Sequence, residues 1–145
     1  MSETDQQTRV TTYSLSAERL SPRRTRVDTG SAELVVGHDA NPVEYFFAAI
    51  VGCINSTGTM VARDMDITLD GLTVEATGDV DYAAYRGEST DTRPGLQSIE
   101  IEIDVETDES PSTVATWLEA IENRCPITDN VENTTPLHIT LTEAN

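Results

Sequence analysis

Three observations predict an α+β fold. Several short segments alternate strictly between apolar and polar residues, one long apolar segment opens with helix-start residues, and a later segment repeats apolar residues at three- and four-residue spacing. The 145 residues, 37 % of them hydrophobic, suit a single folded domain spanning 1–145 and do not suit a disordered chain.

Residues 9–20 are rich in Thr, Val, Tyr and Ser and read as a first strand. "SPRR" turns the chain into a second strand at 23–28, and "DTG" at 28–30 reads as a hairpin turn into a third strand at 32–36. After the loop "GHDA" comes the most informative stretch, "NPVEYFFAAIVGCINSTGTMVARDM", residues 41–65. Asn41 suits an N-cap, Pro42 the first helical position, and Glu44 the third position of a capping box. Tyr45 to Val51 are apolar on nearly every face, which predicts a helix buried on all sides, in a core or at a subunit interface. Gly52 and Gly58 each weaken that helix by about 1 kcal/mol relative to Ala, a cost usually offset by close packing.

Two alternating strands follow. Leu72, Val74, Ala76, Gly78, Val80 and Tyr82 share one face, opposed by Thr73, Glu75, Thr77, Asp79 and Asp81; later Ile99, Ile101, Ile103 and Val105 oppose Glu100, Glu102, Asp104 and Glu106. One face on the core and one in water predicts an antiparallel sheet. Between them lies a long loop, 83–96, carrying Arg86 and Arg93. Ser110-Pro111 opens a second helix to about Arg124, with Val114, Trp117, Leu118 and Ile121 as its stripe. Cys125 continues that inward face, Pro126 stops the helix, and a final strand is expected at 137–142.

Charge narrows the setting. Aspartate plus glutamate number 26 against 9 basic residues, a net charge of −17, and every basic residue is arginine. Such a surface repels itself unless salt screens it; at about 1 M the Debye length is only about 3 Å. The composition therefore predicts the cytoplasm of an extreme halophile, with an ordinary acidic protein as the plainer reading. Nucleic acid is disfavoured as a partner because no basic footprint exists. The polar opening "MSETDQQTRV" does not resemble a signal peptide, and no apolar run reaches the length of a membrane span, so a soluble, cytoplasmic protein without a membrane partner is expected.

Cys53 and Cys125 are the only cysteines, in neither a C-x-x-C nor a zinc-site spacing, and His38 and His138 are isolated. No metal and no cofactor is expected. On residue chemistry alone Cys53 reads as a small core hydrophobe or as a reactive thiol. Cys125 lies at a helix C-terminus, which disfavours anions and suits a resolving thiol better than an attacking one.

"NPVEYFFAAIVGC", with Cys53 eleven residues after Pro42, together with "CPIT" at 125–128, resembles the paired signatures of the OsmC/Ohr family, and the order of elements is similar over nearly the whole chain. The resemblance implies antiparallel sheets wrapped around a buried central helix in an intertwined homodimer. It also implies a peroxidase in which the Cys53 thiolate attacks an organic hydroperoxide, Cys125 resolves the sulfenic acid to a disulfide, and an external dithiol reduces it. The peroxidase branch adds an arginine from the N-terminal strands beside the thiolate and a glutamate directly after the proline to hold it. Here Val43 takes that place and Glu44 comes one later. Nine residues at about 100° each is about two and a half turns, so on an ideal helix Glu44 faces away from Cys53. It serves a site through a distorted first turn or across a dimer, or it only caps the helix. Arg19 is the candidate arginine, with Arg24 and Arg26 as rivals. The shifted glutamate leaves a second function open, a non-catalytic OsmC-like stress protein binding a small hydrophobic ligand. A general thiol–disulfide exchanger is disfavoured because C-x-x-C is absent.

Overall fold

A computed structural model describes residues 9–143; the polar opening segment, residues 1–8, lies outside them. The chain is α+β, with antiparallel sheets and helices in the predicted order as far as Arg124. The described residues form two compact units, one ending at Phe46 and the other beginning at Phe47.

The first unit is a three-stranded antiparallel sheet, β1 (Ser16–Ser21), β2 (Arg24–Asp28) and β3 (Glu33–Val36), in that spatial order. The β2–β3 hairpin turns as "DTG" predicts. Gly30 takes φ +91°, a conformation that costs glycine nothing, and donates its N–H to Asp28 Oδ1 at 2.8 Å. The first strand is shorter than expected, because residues 10–15 pair with nothing in the sheet and Val10, Tyr13 and Leu15 are exposed. β-branched and aromatic composition favours a strand only where a neighbouring edge or face receives it.

Helix α1 (Pro42–Met65) begins in the first unit and runs through the second. Its start is a reciprocal capping box. The Glu44 N–H donates to Asn41 Oδ1 at 2.9 Å, and Glu44 Oε1 accepts from the Asn41 N–H at 3.0 Å. The helix is not buried all round. Ile50, Ile54, Thr57, Gly58, Val61 and Ala62 are buried, whereas Ala48, Ala49, Gly52 and Met60 are exposed. It is also long and apolar enough to cross a membrane by length and composition, with a mean hydropathy of 1.4. The sequence reading missed this because the apolar residues are interrupted by small polar ones.

In the second unit β4 (Gly71–Val80) and β5 (Leu96–Glu106) pair antiparallel, with Val74 opposite Ile103 and Ala76 opposite Ile101. Their apolar faces pack on the core and their charged faces are exposed, as alternation requires. The strand stops at Val80; Tyr82 turns out of it to meet Tyr85 edge-on, ring centroids 5.7 Å apart.

Helix α2 (Pro111–Arg124) is capped by Ser110, whose Oγ accepts from the Thr113 N–H at 3.2 Å. Trp117 and Ile121 are buried, but Leu118 of the predicted stripe is exposed. Trp117 fixes the helix spacing. Its Nε1 donates to the Gly58 carbonyl at 2.9 Å, and a Cβ on Gly58 would lie 2.9 Å from Trp117 Cζ2. Gly58 is therefore the close-approach glycine, while nothing lies within 4 Å of a Cβ at Gly52. Pro126 ends α2 as expected but also begins helix α3 (Pro126–Glu132), for proline is favoured at a first helical position. The expected strand at 137–142 is absent. Leu137, Ile139 and Leu141 are each at least 80 % exposed, with no strand beside them.

Candidate functional site

The second unit brings the two cysteines together. Cys53 lies midway along α1, one residue before the buried Ile54 and four before the buried Thr57. Cys125 is placed by the α2–α3 junction. Its N–H still donates to the Ile121 carbonyl at 2.9 Å, but its φ of −78° and ψ of 113° are extended, as the residue before a proline prefers. That bend closes α2 and points the next helix elsewhere while Cys125 remains in the core with 1 % of its surface exposed. Cys53 is only partly buried.

The sulfurs lie 2.9 Å apart, in direct contact. Both thiols are free, and a disulfide would bring them to about 2.05 Å. Thr57 Oγ1 is 3.7 Å from Cys53 Sγ. Burial pushes the Cys53 thiol up, and the neighbouring Cys125 adds to this, against the Ile127 amide and Thr57 hydroxyl. Burial also opposes ionisation of Cys125, but there the hydrogen bonds win. Cys53, the Thr128 hydroxyl and the amides of Thr128 and Ile127 together hold its pKa below the ordinary thiol value. Thiols in contact titrate as a unit: the first proton leaves the pair readily and the second is held, because a second charge would be desolvated beside the first.

Arg19 and Glu44 belong to the first unit. Arg19 faces Thr25 across the β1–β2 ladder, where the register shifts between Arg19 and Ser21. Arg26, one of its rivals, pairs with Glu18 and, at 3.4 Å, with Glu33. Glu44 acts locally as the capping-box acceptor. Within the second unit no arginine perturbs either thiol; Arg124, next to Cys125, pairs instead with Asp64 at 3.0 Å. Thr57, Ile127 and Thr128 touch the pair and were not singled out in the sequence. The i+4 spacing from Cys53 signals Thr57, and the other two stand in "CPIT".

The second unit also has an apolar groove of about 260 Å³, lined by Ile54, Ile101, Ile103, Leu118, Ile121 and Thr128, with Glu122 and Glu132 also in its wall; neither cysteine lines it. Among the described residues no group of three or more His, Cys, Asp or Glu is placed to hold a metal ion.

Residues 36–140, which include both cysteines and Glu44 but not Arg19, match the family model of the OsmC-like protein. No curated protein matches the chain in sequence. Among solved structures, the OsmC-like protein of Mycoplasma pneumoniae superposes with a TM-score of 0.75 at 15 % identity, covering 86 % of this chain and 89 % of that one. An organic hydroperoxide resistance protein OsmC from Legionella pneumophila gives 0.64 at 16 % identity, covering 84 % and 90 %. An OsmC-like hydroperoxide resistance protein from Jannaschia gives 0.56 at 14 % identity, covering 88 % and 91 %. At such identities the likeness is one of fold.

Proposed function

The chain belongs to the OsmC-like protein family, and we propose that it is a thiol peroxidase that reduces organic hydroperoxides. The 2.9 Å approach of Cys53 to Cys125 carries this reading, since it sets two thiols from distant parts of the sequence within reach of a disulfide. Cys53 is the more accessible sulfur and attacks the distal peroxide oxygen. The S–O bond forms, the O–O bond breaks, and an alcohol leaves. Cys125 then displaces hydroxide from the Cys53 sulfenic acid to give the disulfide, and an external dithiol restores both thiols. The groove offers an apolar place for the organic part of the peroxide. In this reading Arg19 and Glu44 serve the thiolate as the family's arginine and glutamate do.

The working form is a homodimer in a salt-rich cytoplasm. Exposed Ala48, Ala49 and Met60 on α1, and the exposed Leu137, Ile139 and Leu141, support a second copy covering them. The test is turnover of cumene hydroperoxide with a dithiol in molar salt. Cys53→Ser is expected to abolish it, and Cys125→Ser to stop after one equivalent with a trapped sulfenic acid or mixed disulfide. A Cys53→Ser protein that still turns over overturns the assignment. The same groove supports a second reading, a non-catalytic protein holding a small apolar ligand. Tight binding of such a ligand, with no peroxide consumed by the intact cysteine pair, decides for it.

A further inference from the structure

We propose that Thr57 is a catalytic residue of the Cys53 site, its hydroxyl donating a hydrogen bond to the Cys53 thiolate that attacks the peroxide. The inference rests on the peroxidase reading above and adds a donor that lies outside both signature segments. Its basis is geometric. Thr57 follows Cys53 by about one turn of α1, and its Oγ1 is 3.7 Å from Cys53 Sγ, within hydrogen-bond reach of a sulfur. Among the described residues Thr57 is the one polar residue buried in the core, with 5 % of its surface exposed.

Helical threonines commonly turn the hydroxyl back to the carbonyl four residues earlier. Thr59 does so to Asn55 at 2.9 Å, and Thr116 to Ser112 at 3.1 Å. The hydroxyl of Thr57 meets the sulfur of Cys53 instead. A buried hydroxyl needs a partner, and here the partner is the reacting atom. While Cys53 is a thiol either group can donate. Once it is a thiolate only the hydroxyl can, so ionisation fixes the direction of the bond and strengthens it. The hydroxyl keeps its proton throughout, and the reaction written above is unchanged.

The surroundings of Cys53 give this one bond weight. Burial and the touching Cys125 oppose its ionisation, whereas the Thr57 hydroxyl and the Ile127 amide favour it, so Thr57 is the side chain on the favourable side. Charged groups on the neighbouring elements are engaged or turned to water. Arg124 and Asp64 pair with each other at 3.0 Å, Asp129 accepts from Asn133 at 2.9 Å, and Glu122 and Glu132 lie in the wall of the groove. Arg63 on α1 and Glu119 on α2 are exposed. The acidic residues of β4 and β5, Glu75, Asp79, Glu100, Glu102, Asp104 and Glu106, are exposed too.

The test compares Thr57→Val, which keeps the shape and loses the hydroxyl, with Thr57→Ser, which keeps the hydroxyl. Alkylation of Cys53 by iodoacetamide, located by peptide mass, is followed against pH with the cysteine pair intact and again in Cys125→Ala, where one thiol titrates alone. In both settings Thr57→Val is expected to raise the half-reactive pH of Cys53 by about one unit. Near neutrality its rate then falls about three-fold, because about ten-fold fewer thiolates are partly offset by the greater nucleophilicity of a more basic one. Thr57→Ser is expected to stay near the wild-type midpoint. A Thr57→Val profile that superimposes on the wild type overturns the inference, and so does a Thr57→Ser profile that follows Thr57→Val. A uniform change of rate with no shift in midpoint also overturns it, since that reports only access to the sulfur. If circular dichroism shows Thr57→Val misfolded, Thr57→Ala takes its place, with the same upward shift expected and an unmoved midpoint overturning the inference. Alkylation needs no peroxide, so its failure is distinct from failure of the peroxidase reading, which appears as a Cys53 that alkylates normally yet is inert to cumene hydroperoxide at every pH.

Discussion

The two faces of α1 differ: one is packed into the core, and the other, which mixes Ala48, Ala49, Gly52 and Met60 with Asn55, Ser56, Thr59 and Arg63, is exposed. On the inward face Ile50, Ile54 and Val61 are no more than 4 % exposed, packed with Trp117, Ile121 and the apolar side of β4–β5. On the outward face Ala48, Ala49, Gly52 and Met60 are exposed. The inward face shows close fit, down to the Gly58 carbonyl that receives the Trp117 N–H. The outward face has small residues, and nothing lies within 4 Å of a Cβ at Gly52.

The largest expected effect bears on the outward face. The proposed homodimer, carrying 26 carboxylates in each copy, is expected to be intact in about 3 M potassium chloride and lost at about 0.1 M, where the Debye length grows to about 10 Å. Lowering the pH toward 4 is expected to restore it in part, by protonating carboxylates while weakening arginine–carboxylate pairs. Light scattering and circular dichroism across the series check this. A stable monomer throughout breaks the comparison, since the outward face would then be ordinary surface.

Trp117→Ala tests the inward face. It empties a fully buried site and leaves the Gly58 carbonyl without its donor, so a loss of about 3–5 kcal/mol is expected in denaturant melts. A cost near that of a surface substitution would mean that the inward packing is loose. Gly58→Ala is the gentler probe of the same contact. Forcing a methyl to 2.9 Å from the indole is expected to cost about 1–3 kcal/mol, more than the helix propensity of alanine returns.

Gly52→Ala gives the smallest effect and the sharpest comparison. In one chain the added methyl meets nothing, so helix propensity alone predicts a gain of about 1 kcal/mol. With a second copy packed on that face the gain is expected to vanish and association to weaken. A melting temperature raised at unchanged dimer stability would place the interface elsewhere.

Much of this molecule is legible from residues alone because the relevant physics is local. Asn41, Pro42 and Glu44 announce the start of α1 through backbone amides that need capping, and the structure contains those bonds. Alternation at 72–80 and 99–105 fixes which face of β4–β5 meets the core, because successive side chains point to opposite sides. The segment 137–142 has the same alternation and forms no strand, for a strand also needs an edge to pair with, and sequence does not supply one.

The sequence by itself determined the capped helices, the alternating strands, the acidic surface, and two cysteines standing in recognisable surroundings. Only the tertiary structure decided that Cys125, on the inward face the helix stripe predicts, lies 2.9 Å from Cys53, and that Thr57, Ile127 and Thr128 reach the pair. It alone decided which face of α1 is core. Propensity, capping and alternation act over a few neighbouring residues. The charge a thiol can hold, and the face a helix buries, depend on atoms brought close from far along the chain.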